Sequence, residues 1–213
     1  MSVNSDMLIY ETQATIDGLR FVFGVDEAGR GPLAGPVVAS AVWLKTYDFD
    51  SPINDSKKMT PKNRARAFHE IYEKAWVGIG MISESVIDEV NILNASFLAM
   101  QAAIGDLLRH LPADIVVDKT FPQQVRLLID GNAFKSQLPF NYQTIVGGDG
   151  KSLSIACASI IAKVYRDRVM DNYHRVFPQY GFDQHKGYPT ASHREAIKEH
   201  GLSGIHRKSF SLA

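Results

Sequence analysis

The segment that most restricts the fold runs from Leu19 to Gly31, where an apolar stretch ends in two acids and a glycine-rich turn. Leu19 to Val25 has the length and apolar character of a buried strand. Asp26 and Glu27 follow directly, and two carboxylates at the end of a buried strand are costly unless something compensates their charge. Two interpretations stay open for the pair alone: a site for a hard metal ion such as Mg²⁺ or Mn²⁺, or a turn with two exposed acids.

The glycines after the two acids let the backbone come close to a ligand. Gly29 and Gly31 flank Arg30, whose guanidinium is suited to phosphate. Because Gly-Arg-Gly occurs in many loops, this tripeptide indicates a ligand contact only in the company of other site residues.

Strands and helices alternate along the rest of the chain. Apolar runs predict strands at 36–44, 76–83, 115–118, 127–130 and 142–146, and helical spacing predicts helices at 61–74, 86–108, 152–176 and from about 190 onward. Thr60 before Pro61 is typical of a helix N-cap followed by proline at the first helical position. The alternation predicts an α/β fold with a mixed β-sheet flanked by helices.

Composition narrows the class of protein. The single cysteine, Cys157, excludes a disulfide framework within one chain, and we expect it in the core. No apolar run approaches the ~20 residues of a membrane span, and the first ten residues lack the pattern of a signal peptide, so we expect a cytoplasmic protein. The net charge of zero lowers the expectation of a nucleic-acid binder, but the carboxylates of a metal-dependent nuclease would cancel its lysines and arginines.

Further acids stand where apolar runs end. Asp130 follows Leu-Leu-Ile and precedes a glycine, and Asp149 lies in Gly-Gly-Asp-Gly-Lys between a predicted strand and a helix of small residues. The rim of a sheet is where α/β folds place their sites, and four converging acids would form a two-metal phosphodiesterase site. Asp118 competes with Asp130, but a lysine follows it, so a salt-linked structural role is the better interpretation.

Aromatic and basic side chains are candidates for nucleic-acid contacts. Tyr188 could stack on a sugar or base, or it could pack beneath its own loop. Candidates for phosphate contacts, each of which could equally be a solvated charge, are Lys57, Lys58, Lys163, Arg166 and the segment 206–209.

Six blocks in this order resemble the ribonuclease HII family, and they span residues 24–210. They read GVDEAGRGPLAGPVVASAV, NDSKKMTPKNR, LLIDGN, GGDGKSLSIACASIIAKVYRDR, HKGYPT and HRKSF. The related ribonuclease HIII group usually has Gly-Lys-Gly and a long N-terminal extension, whereas this chain has Arg30 and little before its first strand. The resemblance implies a ribonuclease H-like fold with a small C-terminal helical part, hence an N-terminal arm at 1–18, a catalytic domain at 19–178 and a substrate-binding helical part at 179–213.

The resemblance also implies an activity: endonucleolytic cleavage of the RNA strand of RNA–DNA hybrids, and incision 5′ to single ribonucleotides embedded in duplex DNA, leaving 5′-phosphate and 3′-hydroxyl ends. This activity would serve ribonucleotide excision repair. The implied ligands of two Mn²⁺ or Mg²⁺ ions are Asp26, Glu27, Asp130 and Asp149. Substrate contacts are assigned to Gly29, Arg30, Gly31, Lys57, Lys58 and Tyr188.

The chain departs from the family pattern in two places, and two alternative functions stay open. The segment 116–129 is longer than usual, which bears on the choice between Asp118 and Asp130, and Phe210 to Ala213 gives no clear peptide for a sliding clamp. We expect a monomer. The alternative functions are a non-catalytic nucleic-acid-binding module and another two-metal phosphodiesterase, such as a DNA exonuclease.

Overall fold

A computed structural model of the chain describes residues 5–211, which form a mixed five-stranded sheet with helices on both faces. The predicted fold class is therefore confirmed. The strands are β1 (Phe21–Ala28), β2 (Val37–Leu44), β3 (Ala75–Ile82), β4 (Val125–Asp130) and β5 (Asn141–Ile145). The helices are α1 (Ile9–Ile16), α2 (Pro61–Lys74), α3 (Glu84–Val90), α4 (Ile92–His110), α5 (Ala113–Val116), α6 (Leu153–Val176), α7 (Phe182–His185) and α8 (Ala191–His200).

The strand order is β3-β2-β1-β4-β5, with β1 at the centre. β1 and β2 are antiparallel, as are β2 and β3, whereas β4 runs parallel to β1 and β5 runs parallel to β4. The ends of β1 and β4 therefore meet at one rim of the sheet. Val25 pairs with Ile129, so the next residues, Asp26 and Asp130, lie side by side on neighbouring strands.

Each face of the sheet has its own helix. α4 packs on β3, β2 and β1, and α6 packs on β1 and β2 from the opposite side with α2 beside it. The small residues of α6 and the missing side chain of Gly24 in β1 allow the helix to lie close to the strand. A Cβ at Gly24 would stand 2.1 Å from the backbone carbon of Ser154. Cys157 is buried in this layer, as expected.

One predicted helix, at 86–108, is two helices in the structure. Asn91 interrupts it with φ of 68° and ψ of 165°, a positive-φ conformation that residues other than glycine rarely adopt and that cannot continue a helix. Its side chain then accepts a hydrogen bond from the backbone N–H of Asn94 (3.1 Å) and caps α4. Apolar spacing continues across the break, which is why periodicity alone missed it.

The predicted strand at 115–118 is wrong. Ala113–Val116 is a short helix, and Asp118 follows it in an exposed turn. The Asp118 carboxylate accepts hydrogen bonds from the backbone N–H and the hydroxyl of Thr120, both at 2.8 Å. Asp118 therefore shapes a turn, although its partner is a threonine and not a salt-linked lysine.

The two ends of the described chain pack against the central layers. In the N-terminal segment, α1 places buried Glu11 at the start of α6, where Ser152 (2.6 Å) and Ser154 (2.7 Å) donate hydrogen bonds to it. The C-terminal segment forms a separate apolar cluster with the end of α6. In residues 5–211 no helix has the length and hydropathy needed to cross a bilayer.

Candidate active site

A cavity of about 770 Å³ opens at the rim where β1 and β4 end. Three of the four predicted metal ligands line it, namely Asp26, Glu27 and Asp130. So do the predicted substrate contacts Gly29, Arg30, Gly31, Lys57 and Tyr188. Groups that are far apart in the sequence thus share one cleft.

Asp26 is buried at 5% exposure and Glu27 is half-buried beside it. Both residues lie in the last three positions of β1, at the rim of the sheet, and both line the cavity. The backbone N–H of Glu27 donates to Asp26 Oδ1 (2.7 Å), and Arg30 Nη1 lies 3.4 Å from Glu27 Oε1.

Asp130 and Asp149 lie on consecutive parts of the same rim. The last residue of β4 is Asp130, whose Oδ1 accepts a hydrogen bond from the backbone N–H of Gly148 (2.7 Å). Asp149 lies in the adjoining 3₁₀ turn, Gly148–Gly150, is buried and interacts electrostatically with Asp130. Asp149 is thus next to the cavity although its side chain is not part of the lining.

The loop between β2 and α2 closes another side of the cavity and brings residues that the sequence analysis did not select. Asp55 lies next to Asp149, and Ser56 Oγ forms a 2.9 Å hydrogen bond with Ser159 Oγ on α6. Ser159 in turn lies next to Asp26. In the sequence, the charged neighbours of these residues stand out more strongly than the residues themselves. Only the packing of the loop against α6 shows that they lie beside the acids.

Burial and mutual repulsion destabilise the ionised carboxylates. Burial raises the pKa of Asp26 well above its usual range, and the charges of Glu27 and Asp130 raise it further. Burial likewise raises the pKa of Glu27, against the opposing effect of Arg30. The pKa of Asp149 is also raised, by burial first and by Asp130 second. A positive charge in the cavity would relieve all three.

Lys57 faces these acids. Burial alone would lower the pKa of Lys57, but the carboxylates of Asp26 and Asp149, with Asp55 and Asp130, outweigh it and raise the pKa. The ammonium group is therefore charged at neutral pH and available to a phosphate. Lys58 points elsewhere: its side chain is 69% exposed, lies 3.8 Å from Asp55 and does not line the cavity.

Another part of the cavity wall consists of the glycine loop, Gly29–Gly31, and an aromatic ring. A Cβ at Gly31 would lie 3.7 Å from Tyr188 Cε1, so the ring stands against the glycine backbone. Tyr188 is 38% exposed, and Lys163 Nζ lies 5.9 Å from the centre of its ring. The side chain has a free face toward the cavity and is not packed beneath its loop.

Two of the suggested phosphate contacts are wrong. Arg166 and Arg207 are both 1% exposed, and their guanidinium groups bond to backbone carbonyls. His206 is buried as well. Within the segment 206–209, the backbone N–H groups of Lys208 and Ser209 donate to Asp88, each at 2.9 Å.

The donor set suits a hard divalent cation, because carboxylate oxygens are the ligands that Mg²⁺ and Mn²⁺ prefer. In residues 5–211, no group of three or more His, Cys, Asp and Glu side chains forms a ready-made metal cage. Mg²⁺ commonly uses one or two protein carboxylates and completes its shell with water and substrate phosphate oxygens, so an open set is compatible with it.

A sequence model of the family described as ribonuclease HII matches residues 23–213. The ribonuclease HII of Acetivibrio thermocellus is 47% identical over 207 residues, which cover 97% of this chain and 75% of that protein. The ribonuclease HII of Chloroherpeton thalassium is 50% identical over 199 residues, which cover 91% of each protein.

Solved structures show the same fold at lower identity. Ribonuclease HII of Archaeoglobus fulgidus, solved in complex with PCNA, has a TM-score of 0.68 at 23% identity and covers 91% of this chain and 96% of its own. Bst-RNase HIII in complex with Mn²⁺ has a TM-score of 0.64 at 17% identity and covers 93% of this chain and 70% of its own.

Proposed function

This chain belongs to the ribonuclease HII family and is a ribonuclease H, and from that premise we propose that it cleaves the RNA strand of RNA–DNA hybrids and incises 5′ to single ribonucleotides in duplex DNA. One observation carries the proposal. The acids Asp26, Glu27 and Asp130 line the same cavity as the Gly29–Gly31 loop and Tyr188. In this proposal the acids cut the strand, and the loop with Tyr188 selects the site of the cut beside them.

We further propose that Asp26, Glu27, Asp130 and Asp149 hold Mn²⁺ or Mg²⁺, in a two-metal site. Two features support this site: these carboxylates are buried or half-buried, and the pKa values of Asp26, Glu27 and Asp149 are raised. A bound cation would offset both the cost of burying the charges and the repulsion between them. When bound, such ions activate a water molecule and stabilise the leaving 3′-oxygen of a phosphodiester. Lys57 is positioned to neutralise a phosphate beside the acids.

The glycine loop would distinguish RNA from DNA. A 2′-hydroxyl is both donor and acceptor, and it is the group that tells the two nucleic acids apart at a given site. Backbone groups of Gly29, Arg30 and Gly31 can approach it closely because the glycines carry no side chain. The exposed face of Tyr188, beside Gly31, would pack on the sugar or base that follows.

We propose a monomer as the working form. Incision at single ribonucleotides would place the activity in ribonucleotide excision repair, with its DNA substrate in the cytoplasm. That Phe210 to Ala213 holds no clear clamp-docking peptide stays a prediction, and Leu212 and Ala213 lie outside the described residues.

The test is cleavage of a labelled duplex that contains one ribonucleotide, with product ends mapped, in the presence and absence of Mn²⁺ or Mg²⁺. We expect metal-dependent incision on the 5′ side of the ribonucleotide, with 5′-phosphate and 3′-hydroxyl ends. An all-DNA duplex of the same sequence should stay uncut. Cleavage of that all-DNA control at a comparable rate would indicate a general phosphodiesterase and contradict the proposal.

A further inference from the structure

Two buried arginines lie behind the glycine loop. Arg166 on α6 and Arg207 near the C-terminus are each 1% exposed and are the largest fully buried side chains of the described chain. In residues 5–211 neither guanidinium forms a salt bridge, while Arg30, Arg109 and Arg126 all do. Two buried cations without ion pairs carry a large desolvation cost, so packing alone does not account for them.

Arg207 satisfies its donors with backbone carbonyl groups of residues 29–35, which include the glycine loop. Its guanidinium donates to the carbonyl oxygens of Gly29 (2.6 Å), Arg30 (3.1 Å) and Pro32 (2.9 Å). It also donates twice to the carbonyl oxygen of Gly35, at 2.7 and 2.9 Å. One planar side chain therefore fixes the course of the whole loop, as only a guanidinium with five N–H donors can.

Arg166 joins this loop to the loop that carries Tyr188. It donates to the carbonyl oxygens of Ala34 (3.1 Å), Pro36 (3.0 Å) and Lys186 (3.0 Å). Its Cζ atom lies 5.8 Å from the centre of the Tyr188 ring, within cation–π range. A backbone bond from Leu33 N–H to the Gly187 carbonyl oxygen (2.8 Å) adds a second link between the loops.

The direction of these carbonyls decides where the amides point. In a trans peptide the C=O and the next N–H point in opposite directions, and residues 5–211 contain no cis peptide. Because the carbonyls of Gly29 and Arg30 point at Arg207, the N–H groups of Arg30 and Gly31 point away from it. Both residues line the cavity, and no described residue accepts a hydrogen bond from either amide.

We propose that Arg166 and Arg207 are positioning residues that hold the Gly29–Gly31 backbone and the Tyr188 loop as one rigid unit, and thereby set the preference for a ribonucleotide over a deoxyribonucleotide. The two outward amides of Arg30 and Gly31 are the donors that this unit presents to the substrate. The inference rests on the proposed function, and it adds the residues that create the preference.

The test compares Arg207→Lys and Arg166→Lys with the wild-type protein. Affinity is measured, without divalent metal, for a duplex with one ribonucleotide and for the all-DNA duplex of the same sequence. In the wild type we expect the ribonucleotide duplex to bind several-fold tighter. In Arg207→Lys that ratio should fall to near one, while affinity for the all-DNA duplex stays within about twofold, because phosphate contacts dominate it. In metal, kcat should fall at least about tenfold, and KM should rise by no more than the several-fold loss of affinity for the ribonucleotide duplex.

Arg168→Lys is the matched control. It makes the same substitution on the same helix, two residues from Arg166, where the guanidinium lies over Phe68 and not behind the glycine loop. Its affinity ratio and kcat should equal those of the wild type. An Arg207→Lys protein that folds and keeps the wild-type ratio overturns the inference. A wild-type protein without any ribonucleotide preference overturns the proposed function instead.

A measurement on the wild type covers the case in which the lysine variants fail to fold. The amide NMR signals of Arg30 and Gly31 should move downfield on binding the ribonucleotide duplex and stay in place with the all-DNA duplex. Equal movement with both duplexes, or movement with neither, means that these amides do not recognise the ribonucleotide and that the inference is wrong.

Discussion

At the scale of single residues, the site depends on which carboxylates reach the rim of the sheet. Asp130 reaches it because β4 runs parallel to β1 and ends level with Asp26. Asp118 belongs to a surface turn and lines a different cavity, with Arg20 and Phe121 among its neighbours. The two aspartates, twelve positions apart in the sequence, therefore provide a direct comparison of a site residue with a turn residue.

Asp130→Asn should reduce turnover by at least about 10²-fold while leaving the folded state and hybrid binding intact, because the amide keeps its size but loses the charge that would hold a cation. The matched control is Asp118→Asn, which loses hydrogen-bond strength to Thr120 on the surface and should cleave at the wild-type rate. Initial rates on a single-ribonucleotide duplex, with circular dichroism of each variant, make the comparison. Normal turnover by Asp130→Asn would remove it from the metal site.

At the scale of elements, the contact between β1 and α6 fixes the positions of Asp26 and Ser159 relative to each other. Gly24 makes this contact possible, since a Cβ there would lie 2.1 Å from Ser154 C and 2.4 Å from Ile155 N. Backbone atoms cannot move aside as a flexible side chain can. The distance between the central strand and its helix is thus set by one missing methyl group.

Gly24→Ala should lower the free energy of unfolding by about 3 kcal/mol or more, since the helix has to move away from the sheet. Activity should fall with it, because the Asp149 turn lies directly before α6 and would move with the helix. Gly105→Ala in α4 is the control: an added Cβ meets no atom within 4 Å there, and we expect a gain of up to about 1 kcal/mol. Urea unfolding of the wild type and the two variants measures these differences. A Gly24→Ala protein with the free energy of unfolding of the wild type would mean that the two elements are not in tight contact.

At the scale of the whole molecule, two histidines tie the C-terminal segment to the Tyr188 loop. The Ser203 backbone N–H donates to His206 Nδ1 (2.9 Å), which leaves the proton of a neutral His206 on Nε2. His206 Nε2 lies 3.1 Å from His193 Nε2, so His193 accepts there and donates from Nδ1 to the Tyr188 carbonyl oxygen (2.9 Å). Burial lowers the pKa of His206 to about 4, with His193 adding to the shift.

The stability of the protein should therefore fall in acid through these histidines. The unfolded chain takes up the His206 proton near pH 6.5, whereas the folded chain resists it to about pH 4. This contribution is complete above pH 6.5 and is lost progressively as the pH drops toward 4, by at most about 1.4 kcal/mol per pH unit for one histidine.

The raised pKa values of Asp26 and Glu27 act in the opposite direction, so wild-type stability alone is ambiguous. The informative quantity is the difference between wild type and His206→Gln in urea unfolding from pH 7.5 to 4.5. The variant should be less stable at pH 7.5 and should lose less stability on acidification. Parallel curves for the two proteins would show that His206 does not carry the pH dependence.

Local patterns in the sequence determined most of the strands and helices and selected the four acids that meet at the rim. Strand ends, glycine turns and the Thr60 cap are short-range signals, and an apolar run that ends in Asp130 needs no partner to be recognised. The preference for Asp130 over Asp118 also came from the local sequence, since a glycine follows Asp130 and a lysine follows Asp118. Tertiary structure alone broke a helix at Asn91 and placed Arg207 behind Gly29, 178 residues away in the chain. An arginine signals charge in a sequence whether it faces water or carbonyl oxygens. The glycine loop of the opening segment was therefore visible from the start, and the buried cations that hold it were not, because burial of a charge depends on contacts that form only when distant parts of the chain pack together.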